Sequence, residues 1–209
     1  MKTVPHYPRP PLSLIVDDLP PFGVKLFVGD ADAAMDKGLL RKNDIAIVIN
    51  CAVNLDIDYT SDAGVSDQTP KGPFRNYKLG LIDDAGNPQT MVMAGYFLLD
   101  GALRQQLPDR PTYPHRRQGN VLLHCRGGRS RSVILAALYL HIQMSDRFPT
   151  LDASIAHLRK ARALHPDEWF ETPKPMLIEA ARFAARWIRR IEDEKELVES
   201  VAASSGSAS

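Results

Sequence analysis

The stretch Val121-Leu122-Leu123-His124-Cys125-Arg126-Gly127-Gly128-Arg129-Ser130-Arg131-Ser132, running on as Val133-Ile134-Leu135-Ala136-Ala137-Leu138-Tyr139-Leu140, organises the rest of the chain. Val121, Leu122 and Leu123 form a short apolar run after a polar turn, the pattern of a buried strand. Residues 133–140 are apolar on every side, the pattern of a helix buried all round. Between them lies a loop with two glycines, three arginines, two serines and a cysteine. A strand, a glycine-containing loop and a helix N-terminus together bind anions. Free backbone N–H groups converge there, and the helix dipole adds partial positive charge.

Two side chains turn this nest into a candidate reactive site. Cys125 falls at the helix N-terminus among arginines, an environment that lowers a thiol pKa toward roughly 3.5–7.5 and yields a thiolate at neutral pH. Arg131 can return over the loop and hold two phosphate oxygens as a bidentate fork. Ser132 places a hydroxyl near the sulfur. A nucleophile inside a phosphate cradle points to phosphoryl transfer through a covalent phosphocysteine. Arg126, Gly127, Gly128, Arg129, Ser130 and Arg131 are then the phosphate-binding residues. The plainer reading, a structural cysteine in a turn, fits poorly among three arginines.

The run from His124 to Ser132 resembles the His-Cys-x5-Arg-Ser/Thr signature of cysteine-based protein phosphatases, dual-specificity branch. The resemblance covers roughly residues 24–190. It implies an α/β fold with a mixed, mainly parallel central sheet flanked by helices, and a metal-free, cofactor-free reaction. It gives Cys125 the role of nucleophile and Arg131 that of phosphate clamp. Ser132 would stabilise the sulfur as a leaving group. His124 would act behind the nucleophile by hydrogen-bonding loop carbonyls and the region around the sulfur; the plainer reading is a satisfied core histidine.

The leaving oxygen needs a proton, so a carboxylic acid belongs on a neighbouring loop. The family carries this Asp after an apolar-Pro-apolar-x-Asp strand. Leu79-Gly80-Leu81-Ile82-Asp83 matches with Gly80 in place of Pro, and Asp84 matches if the register slips by one. Asp83 is favoured. It precedes Cys125 by 42 residues, longer than the family's usual spacing, and the Pro-rich segment 108–119 accounts for the excess. An acidic helix cap is the plainer reading of Asp83 and Asp84.

Ile45 to Ile49 is a β-branched run suited to a central parallel strand. Asn50-Cys51-Ala52 follows it and resembles the Asn-x-Ala after the equivalent strand in the family. Cys51 could pair with an oxidised Cys125, as some phosphatases allow, or be a small buried hydrophobe.

Elsewhere, residues 1–22 hold six of the sixteen prolines and read as an extended arm along the domain. Val24–Val28 reads as a strand. Asp30 caps a short helix over 31–37 that Gly38 ends. Residues 55–72 read as a solvated insertion rather than a calcium loop. Phe74–Ile82 reads as a strand and 90–106 as a helix. Residues 108–119, with His115, Arg116 and Arg117, read as a loop. Residues 151–163 read as an amphipathic helix with Leu151, Ile155 and Leu158 on one face. A last long helix opens at Thr172 or Pro173, with a stripe of Leu177, Ala181, Ala184, Trp187 and Ile191 packing on the sheet. From Glu192 the chain turns acidic and then Ser/Ala/Gly-rich, a tail expected to fray. The division is therefore an arm (1–22), a catalytic domain (23–195) and a flexible tail (196–209).

The net charge of +1 offers nothing global for nucleic acid. Two cysteines in 209 residues make no disulfide scaffold and fit a reducing compartment. No apolar run approaches the roughly 20 residues needed to span a bilayer, so no integral membrane association is expected and a cytoplasmic location is. No Trp-Pro-Asp stretch precedes the acid, which favours a shallow pocket accepting phosphotyrosine and phosphoserine/threonine in a phosphoprotein. Arg126 and Arg129 favour instead a phospholipid headgroup, since related lipid phosphatases carry basic residues at those positions. A non-catalytic phosphate-binding module and a rhodanese-like sulfurtransferase are the remaining readings. The step from Cys125 to Arg131, followed at once by Ser132, suits the phosphatase better.

Overall fold

The computed structural model describes residues 7–59, 74–110 and 119–206, with side chains through Lys195. Most of the insertion read at 55–72, and positions 111–118 with the basic run His115-Arg116-Arg117, lie outside the described residues. The strands are β1 (Leu12–Leu19), β2 (Val24–Gly29), β3 (Ile45–Ala52), β4 (Arg75–Leu81) and β5 (Asn120–His124). The helices are α1 (Ala31–Met35), α2 (Lys37–Lys42), α3 (Thr90–Arg104), α4 (Arg131–Gln143), α5 (Leu151–Ala161) and α6 (Pro175–Gly206). A 3-10 turn covers Pro166–Glu168.

The strands form one sheet in the order β1-β2-β5-β3-β4. Strands β2, β5, β3 and β4 run parallel, and β1 lies antiparallel on the β2 edge. The expected mixed, mainly parallel α/β sheet is therefore present. Both faces are covered, which is why the central strands are apolar rather than alternating. Leu26, Val28, Ile47, Ile49, Val121 and Leu123 face the larger helical layer. Phe27, Val48 and Leu122 face a smaller cluster with Ala34, Leu40 and Tyr59. Helix α4 fills the larger layer, with every residue from Val133 to Leu140 at 0% exposure.

Three expectations change. The Pro-poor half of the N-terminal arm is strand β1, whose Ile15, Val16 and Leu19 are buried. The helix expected over 31–37 is two short helices. Asp36 ends the first and caps the second by accepting from Leu39 N, so Gly38 lies inside a helix. Helix α6 packs on α3 and α4 rather than on the sheet. Its buried stripe uses Ile188, while Trp187 is 44% exposed. The α6 backbone is helical to Gly206. The Glu, Lys, Ala and Leu content there favours helix over coil.

Candidate active site

Parallel strands place their C-terminal ends along one edge, and loops from that edge build the site. Cys125 follows β5 directly and is 2% exposed. The loop then turns through Gly128, at φ +59°, into α4. A Cβ on Gly128 would lie 2.6 Å from the Gly29 carbonyl oxygen and 2.7 Å from Arg162 Nη2, so no other residue fits. Ser132, at the start of α4, brings its hydroxyl to 3.3 Å from Cys125 Sγ. The Ser130 hydroxyl accepts from Lys174 N at 3.1 Å, which ties the loop to the segment before α6.

Arg131 is 3% exposed and held from three sides. Its Nη1 donates to Asn54 Oδ1 at 2.9 Å and to the Leu81 carbonyl at 3.3 Å. Its Nε lies 3.5 Å from Asp83 Oδ1, an ion pair without hydrogen-bond geometry. Asn54 is positioned in turn by Asn50, whose side chain donates to Leu55 O at 2.6 Å and accepts from Ala52 N at 2.9 Å. The Asn50-Cys51-Ala52 stretch thus shapes the turn that presents Asn54.

Asp83 and Asp84 diverge. Asp83 lines the cleft with Cys125 and Arg131. Asp84 points elsewhere, its Oδ1 accepting from Ala85 N and its Oδ2 lying 4.0 Å from Lys174 Nζ. Asn87 pins this loop by bonding both the N–H and the carbonyl of Ile82. Gly80 explains the departure from the family's Pro. Its φ is +75°, a conformation proline cannot adopt.

His124 is fully buried, and neither ring nitrogen has a hydrogen-bond partner. Burial pushes its pKa down to about 4, with the Cys125 backbone opposing only in part, so the ring is neutral. Cys51 and Cys125 are both free thiols. Burial pushes the Cys51 thiol well up, the charge of Cys125 adds to this, and Arg131 opposes it.

The cleft has a volume of about 910 Å³. Arg126 and Arg129 both line it, as do Asp30, Asp32, Arg9, Pro8 and Pro11. Arg126 is exposed, but Arg129 is already paired with Glu168 at 3.0 Å and Glu171 at 3.4 Å.

Sequence reading missed Asn54, Arg162, Glu168 and Arg9. Arg162 is 0% exposed and donates through Nε to Gly128 O at 3.0 Å, supporting the loop from below. Burial lowers its pKa to about 10, still cationic at neutral pH. One signal for it existed: position 162 continues the buried stripe Leu151, Ile155, Leu158, so a charge there must be a satisfied buried one.

No family model matches the chain. Solved structures do. A variant of human DUSP28 superposes with a TM-score of 0.59 at 19% identity, over 87% of this chain and 98% of that one. The Yvh1 phosphatase domain from Chaetomium thermophilum gives 0.59 at 18% identity, over 86% and 95%. The human tyrosine phosphatase-like serine/threonine/tyrosine-interacting protein gives 0.55 at 18% identity, over 85% and 97%. The fold of this chain is that of the dual-specificity branch of cysteine-based phosphatases.

Proposed function

We infer that this chain is a cysteine-dependent phosphatase acting on phosphoproteins through a phosphocysteine. One observation carries the reading. Cys125 lies on the floor of a cleft that also holds Arg131 and Asp83, with the Ser132 hydroxyl 3.3 Å from its sulfur. In the first step the sulfur attacks phosphorus, the S–P bond forms and the P–O bond breaks. Asp83 gives its proton to the leaving oxygen. The loop amides and Arg131 hold the equatorial oxygens, whose charge persists through the transition state. In the second step water attacks phosphorus, Asp83 takes a proton from it, and the S–P bond breaks. Ser132 then stabilises the departing sulfur by hydrogen bonding.

The cleft charges favour a phosphoprotein over a polyanionic lipid headgroup. Arg126 adds positive charge, but Arg129 is engaged by two glutamates, and Asp30 and Asp32 share the walls. A headgroup with several phosphates would meet those aspartates. Both cysteines being free supports a reducing compartment such as the cytoplasm. Among the described residues no helix is long and apolar enough to cross a membrane. Side-by-side turnover of phosphotyrosyl and phosphoseryl peptides and of a phosphorylated lipid tests the substrate class. Peptide turnover should dominate; a peptide rate negligible beside the lipid rate would overturn it.

A further inference from the structure

The N-terminal arm forms one wall of the same cleft, through Pro8, Arg9 and Pro11. Two buried charged side chains each touch both the arm and the phosphate loop. Arg162 donates to Pro10 O at 2.8 Å as well as to Gly128 O. Glu168 is 1% exposed, and its Oε1 accepts from Arg9 Nη2 at 2.9 Å and from Arg129 Nη1 at 3.0 Å. The arm is anchored on either side of Arg9. Tyr7 stacks on His165 with centroids 3.7 Å apart and planes 5° off parallel, and donates to Asp167 Oδ2 at 2.8 Å. Asp30 N donates to Pro11 O at 3.0 Å.

A carboxylate this buried stays ionised and in place only when paired. Here one oxygen carries two guanidinium groups, one from the arm and one from the loop. Arg9 is itself only 7% exposed in its side chain, so its contact is a fixed one rather than a fluctuating surface pair. Removing Arg9 leaves Glu168 half-compensated, and Glu168 accepts the hydrogen bond that directs Arg129, with Glu171 in a looser ion pair at 3.4 Å. Loop amides bind phosphate well only when the loop is held in its binding shape before the ligand arrives.

We propose that Arg9 and Glu168 are positioning residues of the phosphate site: Glu168 orients the Arg129 side of the loop, and Arg9 from the arm holds Glu168. The rate readout of this idea rests on the phosphatase reading; its binding readout does not.

The test measures inorganic phosphate affinity by calorimetry, phosphate inhibition of aryl phosphate hydrolysis, and melting temperature. The variants are Arg9→Ala, Arg9→Lys, Arg129→Ala, the Arg9→Ala/Arg129→Ala pair and Glu168→Gln. Arg9→Ala and Glu168→Gln should weaken phosphate on the order of tenfold, the size of a lost charged hydrogen bond. Arg9→Lys should recover part of the loss. The double variant should lose less than the product of its single losses, because both arginines act through one oxygen. Strictly multiplicative losses, or a fall in melting temperature with phosphate affinity unchanged, would overturn the proposal. If Glu168→Gln does not fold, the Arg9 and Arg129 cycle decides alone. A wild-type chain that binds phosphate without turnover refutes the phosphatase reading and leaves this proposal to the calorimetry. A chain that hydrolyses aryl phosphate but binds no phosphate refutes this proposal alone, and one that does neither refutes both.

Discussion

The loop from His124 to Ser132 and the arm from Tyr7 to Leu19 meet at one cleft, yet they are encoded in opposite ways. The loop is local. Its glycine, cysteine and arginine spacing, with a strand before and a helix after, specifies the anion nest within a dozen residues. The arm's first half is placed by partners more than a hundred residues away, Arg162, Asp167 and Glu168, while its second half pairs with the adjacent strand β2. Its prolines describe an extended chain, and nothing in them says what that chain lies against. A short motif therefore reveals chemistry, while the surface that frames it emerges only from tertiary contacts.

The largest expected effect lies in the loop. Cys125→Ser and Arg131→Ala should each lower kcat on an aryl phosphate by roughly a thousandfold or more, since one removes the nucleophile and the other the main charge clamp. Melting temperatures near wild type would show that the loss is chemical. Next comes the arm as structure. Leu19 is fully buried in β1, so Leu19→Ala should cost about 3 kcal/mol in denaturant unfolding. A cost near zero would make the arm a loose appendage and break the comparison.

The acid sharpens it. Asp83→Ala should cost about a hundredfold in kcat with a poor leaving group, and Asp84→Ala less than about twofold. The opposite ranking would move the acid one residue along. A pH effect should follow from His124. Its folded pKa of about 4 lies below the usual 6.5, so the unfolded chain binds the extra proton between those values. Stability therefore falls as pH drops through this window, by about 2 kcal/mol between pH 7 and pH 5. His124→Asn should remove about one proton from that slope in urea titrations.

The same contrast explains what could be read from the sequence. The three central strands and the buried α4 follow from apolar runs at 24–28, 45–49, 121–123 and 133–140, where local pattern and burial agree. Asp83 could be placed only to within a residue, because Gly80 replaces the Pro that would fix the register. Trp187 falls three residues after Ala184 and so fits the expected stripe, but the 3.6-residue period carried from Leu177, Ala181 and Ala184 puts Ile188 there. Arg162 was legible in principle as a charge at a core position. Glu168 and Arg9 were not, for their meaning lies in a shared contact between segments 159 residues apart.

The central claim is that Cys125 carries the phosphoryl group. Rapid quenching of the wild-type chain with an aryl phosphate, followed by peptide mass spectrometry, tests it directly. The account predicts one phosphoryl group on the Cys125 peptide, absent from Cys125→Ser. Full turnover in Cys125→Ser, or a phosphoryl group on another residue of the quenched enzyme, would contradict it.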